Sequence, residues 1–466
     1  MAGILVMPLP RAQSVLVKSF RLTETQPLCG MEGTVVSTPL ATYRVSPTDS
    51  ATPAVSFPLV RTADGAIWQE ACLFLIYKFQ NNCKVKTCVG LAKDLALYRR
   101  YLDAEGLDFR HFPSEQNRRV TYSYRGHLRL EVEAGQISIK TARRKLSAVI
   151  QFYKWLAQEG LFVPENSPWK AKRILISVDN DGRKPARRLV ESTDIAFKIP
   201  NVADITIVTD GGRLRPLSDE ELDTLIKSLY SLQNAEMLLA HLVALSTGAR
   251  IQTVLTLRQE DIVNCSKGLN NCAYLPVGPG TGIDTKYGVS YTLVMDWFLV
   301  ERLRIYISSE RYKDRLYKSE GERFKGKEYL FLTNRGGPYF KSLQDPGYDL
   351  ARYHGEGAAV RQFIQDRIRP ILASHGKGFS YTFHDLRATF AMNLFNSLSE
   401  RRELQPSQIR EYLRFRLGHA SHKALDSYTS FNELNKISML AQENWEGRLR
   451  SFLSREFKND YDYPAD

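Results

Sequence analysis

Four short stretches of the chain hold residues whose types suit one reaction. Toward the C-terminus stand His384-Asp385-Leu386-Arg387, then Leu417-Gly418-His419, then Tyr428; far upstream stands Thr247-Gly248-Ala249-Arg250. A His and an Arg three apart on a helix ordinarily decorate a solvated face, so no single piece says much. Order and spacing together say more. Attack on a phosphodiester places extra negative charge on the non-bridging oxygens. Arginine answers that charge, because its planar guanidinium donates two parallel hydrogen bonds and stays protonated at working pH. Arg250 follows a Thr-Gly turn and precedes Ile251 and the apolar Val254, Leu255 and Leu257, so a helix should fix its backbone. Arg387 lies three residues past His384, about one helical turn, which brings both side chains to one face. Tyr428, one of 23 tyrosines, stands nine residues after His419 in LGHASHKALDSYTSF. A phenol has a pKa of about 10 and needs positive surroundings to attack as an anion. Two arginines, two histidines and a tyrosine can hold a phosphodiester and attack it without a metal.

This ordered set resembles the catalytic signature of the tyrosine recombinases, the phage-integrase family of site-specific DNA-cutting and rejoining enzymes. The resemblance implies that Arg250 and Arg387 clamp the phosphate and that His384 and His419 add donors. Such an arrangement is an oxyanion hole built for phosphorus. It implies Tyr428 as nucleophile, giving a covalent 3′-phosphotyrosine and a free 5′-hydroxyl. A second 5′-hydroxyl can reverse the step without ATP, because the phosphoester is kept. The leaving 5′-oxygen needs a proton, and in the family a lysine on the turn between two strands supplies it. In GPGTGIDTKYGVSYTLVM that residue is Lys286, just before the second strand; the competing Lys267 sits too early for the turn. Gly278, Gly280 and Gly282 suggest a nucleotide loop, but no Gly-Lys-Ser/Thr follows and a P-loop is rejected. The chain departs from the family at Thr253, where Glu is frequent. That position usually supports the helix rather than the chemistry.

At 466 residues the chain should form two or three domains that position these groups. The resemblance implies a mainly α fold with a small antiparallel sheet: a helical, SAM-like core-binding domain followed by a tyrosine-recombinase catalytic domain. Residues 1–60, rich in Ser, Thr, Pro and Val, read as irregular or weakly stranded. An arm that touches DNA and an extension packed on the next domain are both open readings. Residues 61–169 read as helical. Their clearest helix runs from Ile137 to Gly160, capped by Ser138 and stopped by Gly160. Ala142, Leu146, Val149, Tyr153 and Leu156 make its apolar stripe, while Lys140, Arg143, Arg144, Lys145 and Lys154 charge the remaining surface. Its wording resembles the last part of the family's core-binding domain, which implies DNA contact through Lys140, Arg143, Arg144 and Lys154.

Residues 170–216 read as a basic interdomain linker lying along phosphate, with Arg183, Lys184, Arg187 and Arg188 as DNA-binding residues and part of the length in local strands. The catalytic domain spans 217–432 and opens on a capping box, Ser218 with Glu221. Strands are expected at Ala273–Val277, Ser290–Met295 and Tyr329–Thr333, and 340–358 reads as an insertion without an assigned role. Residues 433–466 contain an apolar stripe of Leu434, Ile437, Leu440, Ala441, Trp445, Leu449 and Phe452. In the resembling family such a helix docks on a neighbouring subunit.

Composition agrees. Lys and Arg total 64 against 51 acidic residues, a net charge of +13 that favours a polyanionic partner. The six cysteines, 29, 72, 83, 88, 265 and 272, have no zinc spacing and read as buried thiols of a reduced, cytoplasmic protein. His111, His127, His241, His354, His375 and His422 follow no metal-ligand spacing, and neither metal nor cofactor is expected. No apolar run approaches a membrane span, and MAGILVMPLPRAQ is too short and proline-broken for a secretory signal. The resemblance implies double-stranded DNA as partner and a homotetramer on it, with room for sister integrases or accessory proteins. Two other readings compete: a type IB topoisomerase, which shares the chemistry, and a non-cleaving DNA-binding protein on the same fold.

Overall fold

The computed structural model describes residues 11–20, 25–26, 34–37, 42–45, 54–180, 183–198, 206–268, 270–319, 328–345, 355–375, 378–401, 403–419, 423–441 and 446–456. The chain divides after residue 201 into two compact units.

The first unit is built on four helices, α1 (Gln69–Gln80), α2 (Val85–Ala104), α3 (Val120–Glu133) and α4 (Ile139–Gln158). Ser138 caps α4 by accepting the Thr141 N–H at 3.2 Å, and Gly160 follows the helix at φ +67°. Ala142, Leu146, Val149, Tyr153 and Leu156 are all buried, so the stripe faces the core. Each such large side chain contributes roughly 1.5–3 kcal/mol by leaving water. Lys140, Arg143, Arg144 and Lys154 are exposed. Lys145 departs from the sequence reading: it is buried and paired with Glu131 at 3.0 Å, because its position falls between the buried Ala142 and Leu146 side of the helix and α3. Arg144 is tied to the buried Asp94 of α2.

Part of the N-terminal stretch is ordered as strands. β1 (Gln13–Phe20) pairs antiparallel with β5 (Ala54–Arg61), and Phe57 and Val60 of β5 enter the same core as Phe74, Leu95 and Phe152. The short β2 (Thr25–Gln26), β3 (Thr34–Ser37) and β4 (Thr42–Val45) form a separate sheet in the order β2-β4-β3. After α4 the basic stretch folds into a long antiparallel hairpin, β6 (Ala171–Asn180) with β7 (Arg183–Thr193). Arg183, Lys184, Arg187 and Arg188 all lie on β7.

The second unit opens with a two-residue-per-strand hairpin, β8 (Val208–Thr209) and β9 (Arg213–Leu214), around the turn Asp210-Gly211-Gly212. Helix α5 (Asp219–Ser231) starts with the expected capping box: the Glu221 N–H donates to Ser218 Oγ at 3.3 Å and the Ser218 N–H to Glu221 Oε2 at 3.0 Å. Helices α6 (Ala235–Thr247), α7 (Ile251–Leu255) and α8 (Gln259–Asn264) follow. β10 (Cys272–Val277) then pairs antiparallel with β11 (Tyr291–Asp296), Val277 opposite Tyr291. The strand expected at Tyr329–Thr333 is only a pair of isolated bridges, Arg258 with Tyr329 and Leu332 with Pro338. The chain there turns back on itself, the Thr333 N–H bonding Gly337 O at 2.8 Å, before a ladder can extend.

Helices α9 (Trp297–Ser308), α10 (Glu310–Lys318), α11 (Ala358–Phe363), α12 (Arg369–Ser374), α13 (Asp385–Ser399), α14 (Pro406–Leu417), α15 (Lys423–Ala441) and α16 (Gly447–Glu456) complete the unit. The C-terminal apolar stripe is thus spread over two helices; the side chains of Ala441 and Trp445 lie outside the described residues. The cysteines are less uniformly buried than expected: Cys72 and Cys88 are buried, while Cys83, Cys265 and Cys272 are half-buried, and Cys29 lies outside the described residues. No described helix is long and apolar enough to cross a membrane.

Candidate active site

Two helices of the second unit end in glycine for a geometric reason. Gly248 after α6 has φ +69° and Gly418 after α14 has φ +61°, the left-handed conformation that side-chain-bearing residues avoid. A Cβ on Gly248 would come within 2.5 Å of the Phe390 ring, and one on Gly418 within 2.6 Å of the Tyr291 ring. These turns bring two carbonyls to Arg387, whose Nη1 donates to Gly248 O at 2.7 Å and whose Nη2 donates to Leu417 O at 3.0 Å. Arg387 lies in the first turn of α13 and is almost fully buried, so two backbone carbonyls help to aim its guanidinium. The helix start is itself tied down: Asp385 accepts the N–H groups of Thr382 at 2.7 Å and Arg215 at 2.8 Å.

Arg250, His384, Arg387, His419 and Tyr428 meet around one residue, Asp210 in the β8–β9 turn. Arg250 Nη2 lies 3.1 Å from its Oδ1. Its Oδ2 receives Arg387 Nε at 2.6 Å and the Tyr428 hydroxyl at 3.0 Å, with His419 Nε2 also at 3.0 Å. His384 Nε2 lies 3.1 Å from the Asp210 carbonyl oxygen. Lys286 arrives on the turn between β10 and β11: a Cβ on Gly211 would lie 2.8 Å from its Nζ and 3.9 Å from His384 Nε2. Lys267 is exposed before β10, at the opposite end of that strand, roughly 20 Å away by strand rise. His422 lies outside the described residues.

The electrostatics follow from burial and from this one carboxylate. Burial alone would raise the Asp210 carboxyl, but the His419 hydrogen bond and the Arg387 and Arg250 charges hold it far below the usual carboxylate range. Burial, with the neighbouring Arg387 charge, depresses both His384 and His419, so both imidazoles are neutral at neutral pH. Burial and then the Asp210 charge push the Tyr428 phenol up, and the hydroxyl keeps its proton while the carboxylate is beside it. Arg250 Nε and His419 Nδ1 are buried without a hydrogen-bond partner among the described residues.

The Lys286 turn is braced by Thr253, singled out in the sequence as a support for its helix, and by residues that sequence reasoning passed over. Thr253 Oγ1 donates to Asp284 O at 2.8 Å, so this threonine supports the β10–β11 loop, two residues from the lysine. The Asp284 carboxylate accepts from Ser342 Oγ and the Leu343 N–H, both at 2.8 Å, and from Gln344 Nε2 at 3.1 Å. Gln344 Oε1 also takes the Gly280 N–H at 2.7 Å. Below the loop, buried Arg258 donates through Nη2 to Gly282 O at 2.9 Å and to Asp345 Oδ1 at 2.7 Å. The start of the supposed insertion is therefore a support for the loop. Asp210 itself was missed as well. Asp-Gly-Gly is a legible turn signal, but nothing local says that the turn folds onto two arginines.

Among the described residues no group of His, Cys, Asp and Glu could hold a metal ion. No curated protein matches the chain in sequence. Among solved structures it is similar to the XerH site-specific recombinase bound to palindromic difH substrate: 16% identity over 81% of this chain and 85% of the other, TM-score 0.45. It is similar also to the Tn1549 transposon integrase in complex with transposon right end DNA, at 16% identity over 79% and 99% and TM-score 0.41. A lambda integrase dimer bound to a COC′ core site shares 14% identity over 77% and 94%, TM-score 0.43. Residues 215–433, which hold every residue of the cluster except Asp210, match the sequence model of the phage integrase family. Residues 215–433 thus form a domain of the phage integrase family of tyrosine recombinases.

Proposed function

We propose that this recombinase cleaves and rejoins duplex DNA with Tyr428 as nucleophile, Arg250 and Arg387 as the phosphate clamp, His384 and His419 as added donors and Lys286 as the acid for the leaving 5′-oxygen. The observation that carries the assignment is the convergence of all six on the Asp210–Gly211 turn, within one unit of the chain. Tyr428 loses its hydroxyl proton to water; attack of the phenolate on phosphorus forms the 3′-phosphotyrosine bond and breaks the bond to the 5′-oxygen, which takes a proton from Lys286. Rejoining runs the same steps backward. The protein acts in the cytoplasm, with the exposed Lys140, Arg143, Arg144 and Lys154 of α4 and the basic strand β7 gripping the flanking phosphates.

A nicked suicide substrate tests the nucleophile. The intact chain should accumulate a covalent adduct, and Tyr428→Phe should form none while still shifting the duplex. An adduct in the variant would remove Tyr428 from its role. Transfer of strands between two marked duplexes then distinguishes recombination from the relaxation of a single duplex.

Assembly on DNA is proposed as a homotetramer, joined where needed by sister integrases or accessory proteins. Its support is α15, which carries Tyr428 in its early turns and Leu434, Ile437 and Leu440 farther on, 42%, 61% and 56% exposed. Leu449 and Phe452 of α16 are exposed too. A neighbour that covers these side chains holds the helix of the nucleophile. Deleting the chain from Glu433 onward is expected to spare binding of a single site and to abolish synapsis and strand exchange. Exchange by the truncated protein would show that these helices serve their own subunit.

A further inference from the structure

The phosphate clamp of this protein has an occupant, and the occupant belongs to the chain. A carboxylate and a phosphodiester share one feature that an arginine clamp reads: two anionic oxygens on one centre, open to in-plane donors. Asp210 offers Oδ1 to Arg250 and Oδ2 to Arg387, His419 and Tyr428, the groups assigned above to the scissile phosphate and its attacker. Both anions cannot use these donors at once, and two negative charges at that separation repel.

The turn is shaped for the position it takes. Gly211 stands at φ +67°, and its missing side chain leaves room for Lys286 Nζ, which a Cβ would meet at 2.8 Å. The Asp210 side chain is buried while Thr209, Gly211, Gly212 and Arg213 around it are exposed. Apart from the Asp210 contacts, the hairpin is held by two residue pairs between its strands, by the buried Val208 and Leu214, and by Ser427 Oγ donating to Thr209 O at 2.9 Å, among other contacts. A two-stranded ribbon this short is marginal by itself, so the Asp210 contacts are its main anchor and an anion that takes over its donors can release it.

We propose, resting on the phosphate-clamp reading above, that Asp210 is a built-in stand-in for the scissile phosphate: the β8–β9 hairpin fills the arginine clamp and holds the Tyr428 hydroxyl until a DNA phosphate displaces it. The arrangement solves two problems together. Without an anion, Arg250 and Arg387 would repel each other across a buried site; the carboxylate keeps them assembled for DNA to use. With the carboxylate seated, the nucleophile is hydrogen-bonded to an acceptor beside which it does not ionise, and the free enzyme has neither a clamp nor an attacking group to offer. Loading DNA exchanges one anion for another, and the charge of the pocket is conserved.

The full-length chain with Asp210→Ala or Asp210→Asn tests this in two ways. Inorganic phosphate is the first probe. Phosphate at about ten times its Kd should raise the Tm of Asp210→Ala by about 4 °C and leave the intact protein, whose clamp is filled, unmoved. The double variant Asp210→Ala/Arg250→Ala should lose the response. Where Asp210→Ala does not fold without phosphate, Asp210→Asn, which keeps one acceptor for the arginines, carries the same comparison. The second probe is the rate of adduct formation on the suicide substrate at limiting DNA, which should rise on the order of tenfold in Asp210→Asn, since the competent fraction no longer waits on the hairpin. A phosphate response equal in the intact protein and the variant, or cleavage by Asp210→Asn at or below the intact rate, would overturn the proposal. Absence of any adduct from the intact protein would sink the cleavage assignment, and the phosphate arm alone would then decide whether Asp210 fills an anion site.

Discussion

Arg250→Ala is expected to slow strand cleavage by about 10²–10³-fold or more while changing duplex binding little, because a preorganised donor to the developing charge of a transition state is worth that much. Arg387→Ala should show the same loss of cleavage and a second effect. Its guanidinium is almost fully buried and serves Asp210, Gly248 O and Leu417 O together. Removing it leaves a buried carboxylate and two carbonyls short of a donor, which costs about 3–5 kcal/mol of stability for the broken ion pair. Arg250, whose side chain keeps 21% of its exposure, is the cleaner probe of chemistry. Single-turnover cleavage, duplex binding and Tm measured on both variants separate the effects. If binding and cleavage fell together by the same factor, the arginines would be grips rather than transition-state donors.

Replacing Arg183, Lys184, Arg187 and Arg188 by Ala should flatten the slope of log affinity against log salt by about two units or more, since each phosphate contact contributes close to one. All four stand on β7, with Arg183, Arg187 and Arg188 opposite Asn180, Ser177 and Ile176 of β6. The ladder holds its shape by backbone hydrogen bonds, so the substitutions remove charge without unmaking the element. Binding titrations at several salt concentrations read the result, and an unchanged slope would place this hairpin away from DNA.

What could be read from the sequence was local. The Ser218–Glu221 box, the Ser138 cap and the Gly160 stop are carried by neighbours in the chain and appear as expected. So do β10 and β11, which alternate around a glycine-rich turn. The gathering of Arg250, His384, Arg387, His419 and Tyr428 was legible only as a resemblance, because no periodicity links residues so far apart. Asp210 had no such pattern to announce it, and its contacts reach 40 to 218 residues along the chain. Lys145 was misread because a helical wheel gives the angle of a side chain but not the nearness of Glu131 on the next helix. The brace at 342–345 fell in a stretch set apart as an insertion, and its partners, Asp284 and Arg258, stand 58 and 87 residues upstream.

The span of the Asp210–Tyr428 contact, 218 residues, also bears on synthesis. Long-range contacts form late, since the loop between them must be closed before they repay its entropy. A chain leaving the ribosome exposes Asp210 and then Arg250 well before Arg387, His419 and Tyr428 exist. The arginine thus emerges with an anion already available to it, and no nascent fragment short of residue 428 carries the proposed nucleophile. A centre assembled in that order is completed only after nearly the whole unit has been made.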